Sequence, residues 1–140
     1  MGYTTIIQST EGEKFYNITE KVNKELLKLN PDSKSGILHL FLTHTSCALT
    51  INEAYDKSAQ DDLTSFLKHI APRNLEFITH TSEGPDDSPS HMKTMLLQQN
   101  LSFIIDSGDL VLGTWQGIYL AEFRDSPKQR NILVKFVSDN

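Results

Sequence analysis

The order of strand and helix patterns along the chain constrains its fold more than any other feature of the sequence. Helix patterns begin after Thr19, near residue 57 and at residue 89, and all of them end before residue 100. The rest of the chain carries strand patterns alone. Few connections read as the equal strand–helix–strand units that build a parallel doubly wound sheet. The sequence therefore predicts one α+β domain over residues 1–140, mostly antiparallel, with about seven or eight strands and about three helices.

Several local patterns add definite expectations about this domain. The nearly continuous apolar run at residues 36–43 predicts a strand buried on both faces, with His39 as a core histidine. Residues 75–79 predict a strand that leads directly to His80. The turn at residues 125–128 predicts that the last two strands form a hairpin.

The composition is that of an ordinary globular protein, with 38% hydrophobic and 22% charged residues among 140. The formal net charge of −5 argues against a general binder of nucleic acid or of anionic membranes. The single cysteine, Cys47, excludes an internal disulfide and fits a reducing compartment. No apolar stretch resembles a signal peptide or approaches the roughly 20 residues of a membrane span, so we expect a cytoplasmic location.

Residues 82–93 contain the densest array of candidate ligands in the chain. Ser88 fits the N-cap of a helix and Pro89 its first position, where the missing N–H of proline is no loss. A helix start favours an anion, while Asp86 and Asp87 suit a hard cation such as Mg²⁺. The alternative is a well-capped helix that binds nothing.

Three histidines, His44, His80 and His91, each lie where one predicted element gives way to polar residues. Three imidazoles with an open position are a common shell for catalytic zinc, although these spacings match no linear zinc motif. We place His91 in the first turn of its helix, where the dipole keeps the ring neutral and able to bind a metal or accept a proton.

The same helix start offers further groups to a phosphate, namely Ser88, Ser90 and Lys93. The alternative for Lys93 is plain solvation, since lysines near helix starts usually extend into water. Arg124 follows a predicted strand, where it either holds a second anion or forms an ion pair at the strand end.

Two carboxylates and one tryptophan complete the candidate residues. Glu53 and Asp56 are three residues apart, and a helical turn would place both on one side. An acidic helix start without a ligand is the alternative. Trp115 lies between Gly113 and Gly117, where its indole can stack on a flat heterocycle or occupy a β-bulge as a core residue.

Together these segments resemble the YjbQ-like family, whose members are named secondary thiamine-phosphate synthases. The resemblance extends over nearly the whole chain, and the segments that carry it occur in the order and spacing of the family. They are residues 44–56, residues 80–93, and residues 112–118 followed by 122–124. One departure is the sequence Pro-Asp-Asp-Ser-Pro at residues 85–89, where many members have a Gly-Asn-Ala-Asp version.

The resemblance implies a largely antiparallel, β-sandwich-like core of about eight strands with two to three helices. It also implies a homotrimer with sites near subunit boundaries, and a pocket where three histidines hold a divalent metal, Zn²⁺ or Mg²⁺. The implied catalytic residues are His44, Glu53 and His91, and the implied metal ligands are His44, His80 and His91. Residue chemistry and the resemblance together predict the substrate-binding residues Asn52, Asp56, Ser88, Ser90, Lys93, Thr114, Trp115, Gln116 and Arg124.

The activity that the family name carries joins a hydroxymethylpyrimidine diphosphate to a thiazole phosphate and releases pyrophosphate. A divalent cation and cationic side chains would stabilise the leaving diphosphate, and Trp115 would stack on a ring. Two alternatives stay open. One is a metal-dependent hydrolase that uses the three-histidine site with Glu53 as general base. The other is a non-enzymatic trimer that binds a small phosphorylated metabolite.

Overall fold

The computed structural model describes residues 2–140 and arranges them as two antiparallel sheets with three helices. Met1, the first residue of the predicted domain, lies outside the described residues. The elements are β1 (Thr4–Thr10), β2 (Lys14–Asn17), α1 (Thr19–Leu29), β3 (Gly36–Leu42), β4 (Cys47–Glu53), α2 (Lys57–Ile70), α3 (Asp87–Thr94), β5 (Asn100–Asp106), β6 (Asp109–Leu110), β7 (Gln116–Glu122) and β8 (Lys128–Ser138).

One sheet has five strands in the order β1-β8-β3-β5-β6, and the other has three in the order β2-β7-β4. Every pairing between these named strands is antiparallel. The predicted α+β class, with a sandwich-like core of eight strands, is therefore confirmed.

The hydrophobic core lies between the two sheets and is closed by α1, which buries Val22 and Leu26. Strand β3 contributes Leu38, Leu40 and Leu42 to this core. Its alternate side chains face outward, because the five-stranded sheet buries only one of its faces.

The prediction that β3 is buried on both faces was therefore wrong. His39 is exposed on the outer face of the sheet and is not a core histidine. Its Nδ1 atom lies 3.0 Å from the hydroxyl of Ser102 on the neighbouring strand β5.

The predicted hairpin of the last two strands was also wrong, because β7 and β8 belong to different sheets. A buried ion pair joins these sheets where the chain crosses between them. Arg130 Nε donates to Glu122 Oε1 at 2.7 Å, and Arg130 Nη2 donates to Glu122 Oε2 at 2.6 Å. Thr10 of β1 donates to the same carboxylate at 2.6 Å. The turn at residues 125–128 reverses the chain but also moves it from one sheet to the other.

The segment before α3 departs from prediction as well. Residues 75–79 form turns and irregular backbone, because a strand pattern needs a neighbouring strand and none pairs with this segment among residues 2–140. Helix α3 begins at Asp87, so Ser88 lies inside it and Asp86 precedes it. His91 consequently falls in the last turn of α3, where the helix dipole favours a positive charge.

Candidate functional site

The candidate site is a group of three side chains, His80, Asp87 and His91, which we call the histidine–aspartate cluster. The Nε2 atom of His80 lies 2.8 Å from Asp87 Oδ2, and the Nε2 atom of His91 lies 3.1 Å from the same oxygen. One ligand atom from each residue lies within 4.8 Å of the others. A cleft of about 460 Å³ opens beside the two imidazoles, between Thr45 and Thr94.

Local structure fixes the ring of His91 in this cluster. Asp87 and His91 are four residues apart on α3 and therefore share a face. The Nδ1 atom of His91 lies 2.6 Å from the carbonyl oxygen of Thr45, which only accepts hydrogen bonds, so Nδ1 carries the proton. In a neutral ring, Nε2 then presents a lone pair to the carboxylate oxygen of Asp87.

Two facing acceptors require a cation between them, either a proton on the ring or a metal ion. The last turn of α3 suits a bound cation, because the negative end of the helix dipole lies there. Two imidazole nitrogens and one carboxylate oxygen suit Zn²⁺ or another transition ion better than Mg²⁺, which prefers a shell of oxygens. The donor atoms of the cluster therefore fit a divalent metal, with coordination positions left for substrate or water.

Arg124 holds the aspartates in place. Its Nη1 donates to Asp87 Oδ1 at 2.8 Å, its Nε donates to Asp86 Oδ2 at 3.0 Å, and its Nη2 donates to the carbonyl oxygen of Glu83 at 2.8 Å. Burial disfavours the charged form of Asp87. When the imidazoles carry protons and no metal is bound, the hydrogen bond from His80 and the positive charges of His91 and Arg124 outweigh that cost. The pKa of Asp87 therefore lies below its usual range, and the carboxylate stays ionised.

Asp86 was predicted to hold a cation together with Asp87, but its contacts are within the protein. Its Oδ2 accepts hydrogen bonds from Arg124 and from the backbone N–H of Asp125, the latter at 2.8 Å. Arg124 was predicted either to hold an anion or to form an ion pair at the strand end, and in the single chain its guanidinium forms ion pairs with the two aspartates.

His44 lies outside the histidine–aspartate cluster of the single chain. Its Nε2 accepts the backbone N–H of Asn131 at 2.8 Å. Burial, together with the nearby charge of Arg130, lowers the pKa of His44 and keeps its ring neutral. The fold thus brings together two of the three predicted histidine ligands and adds Asp87 to them.

The predicted phosphate contacts on α3 are separated from the cluster. Lys93 follows His91 by two residues, a rotation of about 200° around the helix axis, so it faces the opposite side. Only 2% of Lys93 is exposed, and its Nζ donates to Glu13 Oε2 at 2.6 Å. Ser90 is fully buried and donates to the backbone of Asp87, while Ser88 is partly buried within the helix.

Five of the remaining predicted residues gather at another place together with Tyr55. We call this group the aromatic end: Glu53, Tyr55, Asp56, Thr114, Trp115 and Gln116. The rings of Tyr55 and Trp115 pack edge to face with centroids 4.9 Å apart, although 75% and 58% of these residues are exposed. Asp56 caps α2 by accepting the N–H of Ser58 at 3.0 Å. Asn52 is next to Glu53, and its side-chain oxygen accepts the N–H of Glu53 at 2.8 Å.

Strand β4 separates these two regions. Thr45, which holds His91, lies two residues before β4, and Glu53 is the last residue of the strand, paired with Gln116 of β7. Seven extended residues span roughly 20 Å. Glu53 and Trp115 of the same chain therefore do not reach the cluster.

Sequence reasoning did not assign Asp87 to the histidines or notice that Arg124 holds both aspartates. The spacing of four residues between Asp87 and His91 was a usable signal, because it places both on one helix face. It was missed because the helix start was placed two residues too late. Tyr55 was also missed, and only its packing against Trp115 distinguishes it from an ordinary surface tyrosine.

Comparison with known proteins identifies the family. The sequence profile described as UPF0047 protein YjbQ-like matches residues 3–139 of this chain. The chain belongs to the YjbQ family. A YjbQ protein of Salmonella typhimurium is 39% identical over 129 residues, covering 92% of each sequence, and a UPF0047 protein of Methanocaldococcus jannaschii is 38% identical over 133 residues, covering 89% of this chain and 93% of that protein.

Solved structures of YjbQ-family proteins and their relatives share this fold. A conserved hypothetical protein of Thermus thermophilus is 35% identical, with a TM-score of 0.84 over 96% of this chain and 99% of its own. A YjbQ/UPF0047 protein of Clostridium acetobutylicum is 32% identical, with a TM-score of 0.81 over 94% of this chain and 99% of its own. These descriptions name a family and no reaction. None of the helices within residues 2–140 combines the length and apolarity needed to cross a bilayer.

Proposed function

We propose that this YjbQ-family protein is a divalent-metal-dependent enzyme, a thiamine-phosphate synthase-like transferase that acts on small phosphorylated heterocycles. The observation that carries the proposal is the His91 ring. Its Nδ1 proton is committed to Thr45, and its Nε2 faces an ionised Asp87 oxygen 3.1 Å away. His80 directs a second nitrogen at the same oxygen from 2.8 Å, which completes a donor set for one cation.

The proposed reaction joins a hydroxymethylpyrimidine diphosphate to a thiazole phosphate. The thiazole nitrogen forms a bond to the exocyclic carbon of the pyrimidine, and the bond from that carbon to the diphosphate oxygen breaks, so pyrophosphate leaves with the electron pair. A bound divalent cation would neutralise charge on the leaving diphosphate. Within the protein, Thr45 orients His91 and Arg124 keeps Asp87 ionised and in place.

The proposal includes a homotrimer, in which the aromatic end of one copy lies beside the cluster of the next. The support is the roughly 20 Å between these regions in one chain, together with the exposure of Tyr55 and Trp115. The outer face of the five-stranded sheet also exposes Ile7, Phe41 and Ile104, an apolar area that a neighbouring copy would cover. Light scattering tests this, since a trimer has three times the 15.8 kDa mass of the chain.

The activity is tested with purified full-length protein, both precursors and a series of divalent metals. We expect thiamine phosphate and pyrophosphate to form in equal amounts, and a chelator to stop the reaction. His91→Ala should lower the rate about a hundredfold or more, because it removes a metal ligand. His69→Ala, which changes an exposed histidine in the last turn of α2, is the matched control and should keep full activity. Full activity of His91→Ala would refute the site.

A metal-dependent hydrolase is the second candidate, because the open cleft at the cluster also gives water access. Its predicted base, Glu53, would have to come from a neighbouring copy. Release of inorganic phosphate from a phosphate ester without formation of thiamine phosphate would favour it. Tight binding of a phosphorylated ring without turnover would favour the non-enzymatic alternative.

A further inference from the structure

A second cleft, of about 480 Å³, lies on the face of α3 opposite to the histidine–aspartate cluster. Four separate parts of the chain line it with charged side chains: Glu13 before β2, Lys68 and Arg73 at and after the end of α2, Lys93 on α3, and Asp125 after β7. Neither the metal-dependent reaction nor the proposed trimer uses these groups.

Glu13 is the residue that points to a ligand. Only 5% of its side chain is exposed, and its Oε2 accepts a hydrogen bond from Lys93 at 2.6 Å. Its Oε1 is buried and receives no hydrogen bond from any of residues 2–140. The cationic nitrogen that approaches Oε1 is Arg73 Nη2, at 3.9 Å, which is too long for a hydrogen bond. A buried carboxylate oxygen that accepts no hydrogen bond lowers the stability of the fold. We therefore expect a hydrogen-bond donor at this position.

Arg73 does not supply that donor in the structure, because its Nη2 stays 3.9 Å from Oε1. Its Nη1 and Nη2 form a two-pronged pair with Asp125, at 2.7 Å and 2.6 Å. These hydrogen bonds are also the largest cause of the raised pKa of Arg73 and of the lowered pKa of Asp125. The described residues thus leave Glu13 Oε1 without a donor, and a ligand in the cleft could supply one.

Lys68 supplies the complementary charge. It lines the same cleft and forms no ion pair with any residue that the structure describes. With Glu13 paired to Lys93 and Arg73 paired to Asp125, Lys68 gives the cleft a net positive charge. A bare cation would be repelled by this charge, and a bare anion would leave Glu13 Oε1 without a donor.

We propose that this cleft binds a small zwitterion. An amino group of the ligand donates to Glu13 Oε1, and an anionic group of the ligand pairs with Lys68. The anionic group is a carboxylate, as in a small amino acid, or a phosphate, as in a phosphorylated amino alcohol. Both present the same chemistry to the cleft, and binding measurements distinguish them.

The test is titration of the full-length protein by calorimetry or NMR with 4-aminobutyrate and O-phosphoethanolamine. Butyrate and inorganic phosphate lack the amine, and butylamine lacks the anion. We expect at least one zwitterion to bind about tenfold or more tightly than its single-charge counterparts, since hydrogen bonds to charged groups are the strong ones. The tighter of the two zwitterions identifies the anionic group. Equal binding of the zwitterions and their counterparts, or no binding of either zwitterion, would overturn the proposal.

Two variants place the binding in this cleft. Lys68→Gln removes an exposed charge that has no ion pair among the described residues, so the fold should persist while affinity falls about tenfold or more. Glu13→Gln removes the charge that the ligand amine needs and should weaken the zwitterion more than butyrate. Lys34→Gln, at an exposed lysine outside the cleft, is the matched control and should bind as the parent does.

His91→Ala should leave zwitterion binding unchanged, so failure of the metal-dependent reaction and failure of this site can be told apart. Unchanged affinity in Lys68→Gln would contradict the proposal. So would a crystal structure of the soaked protein in which only water bonds to Glu13 Oε1.

Discussion

The histidine–aspartate cluster and the aromatic end differ in how the chain holds them. In the cluster, Asp87 is buried, bonded to two histidines and fixed by Arg124, while His91 is fixed by a backbone carbonyl. At the aromatic end, Tyr55 and Trp115 pack on each other but stay largely exposed. Contacts within one chain hold the cluster in place. The aromatic end, by contrast, exposes side chains that no other part of the same chain covers.

This contrast shows that residues from the segments typical of a family need not form one site within one chain. Both regions contain motif residues, yet β4 holds them roughly 20 Å apart. The rigid region suits metal binding, which requires fixed ligands, and the exposed region suits a surface that contacts a neighbouring copy or a substrate ring.

The largest expected difference between the two regions is in stability. Arg130→Ala leaves the buried Glu122 carboxylate without its cationic partner, and should lower the free energy of unfolding by about 3–5 kcal/mol. Lys57→Ala breaks an exposed pair with Asp61 beside the aromatic end and should cost less than about 1 kcal/mol. Urea denaturation of both variants measures this, and similar losses in the two would contradict the contrast.

The second expected difference is in metal affinity. His80→Ala removes a ligand whose side chain is half exposed, so folding should persist while affinity for Zn²⁺ falls about a hundredfold or more. Trp115→Ala is the control at the aromatic end and should leave metal affinity within about twofold of the parent, because an indole supplies no metal ligand. Calorimetric titration gives both values. An equal loss in Trp115→Ala would mean that the two regions share the metal.

The third expected difference is in how much stability each region loses at low pH. Burial disfavours the charged form of Glu122, but hydrogen bonds from Arg130 and Thr10 outweigh it, so the pKa of Glu122 is lowered. The stability it contributes is present above its unfolded pKa of about 4.3 and is lost as pH falls through the folded value. Hydrogen bonds from Ser58 also lower the pKa of Asp56, but this carboxylate is exposed and screened by water.

We therefore expect Glu122→Gln to lessen the loss of unfolding free energy between pH 6 and pH 3 more than Asp56→Asn does. Denaturation at a series of pH values measures both slopes. A larger change in Asp56→Asn would show that acid sensitivity arises at the aromatic end.

The smallest expected effect is on the stability of Trp115→Ala. The indole is 58% exposed, and its edge-to-face contact with Tyr55 is worth about 0.5–1.5 kcal/mol, so the loss should stay near 1 kcal/mol. Thermal denaturation checks this. If the aromatic end of one copy serves the cluster of another, turnover should fall in the same variant although its fold and metal affinity persist. Unchanged turnover would show that the aromatic end takes no part in the reaction.

The sequence by itself determined the class of the fold, because strand and helix periodicity are local properties of neighbouring residues. Most strands and all three helices were predicted, as were two members of the histidine–aspartate cluster, His80 and His91. The family was also recognisable, since its motifs occur as continuous segments.

Only the tertiary structure decided which of these residues meet. Whether β7 pairs with β8 or crosses to the other sheet depends on long-range pairing, which the turn between them does not specify. The tertiary structure also decided the different surroundings of His91 and Lys93, which are two residues apart in sequence. A helix that begins at Asp87 directs one to the cluster and buries the other against Glu13, because two steps along a helix turn the side chain to the opposite face.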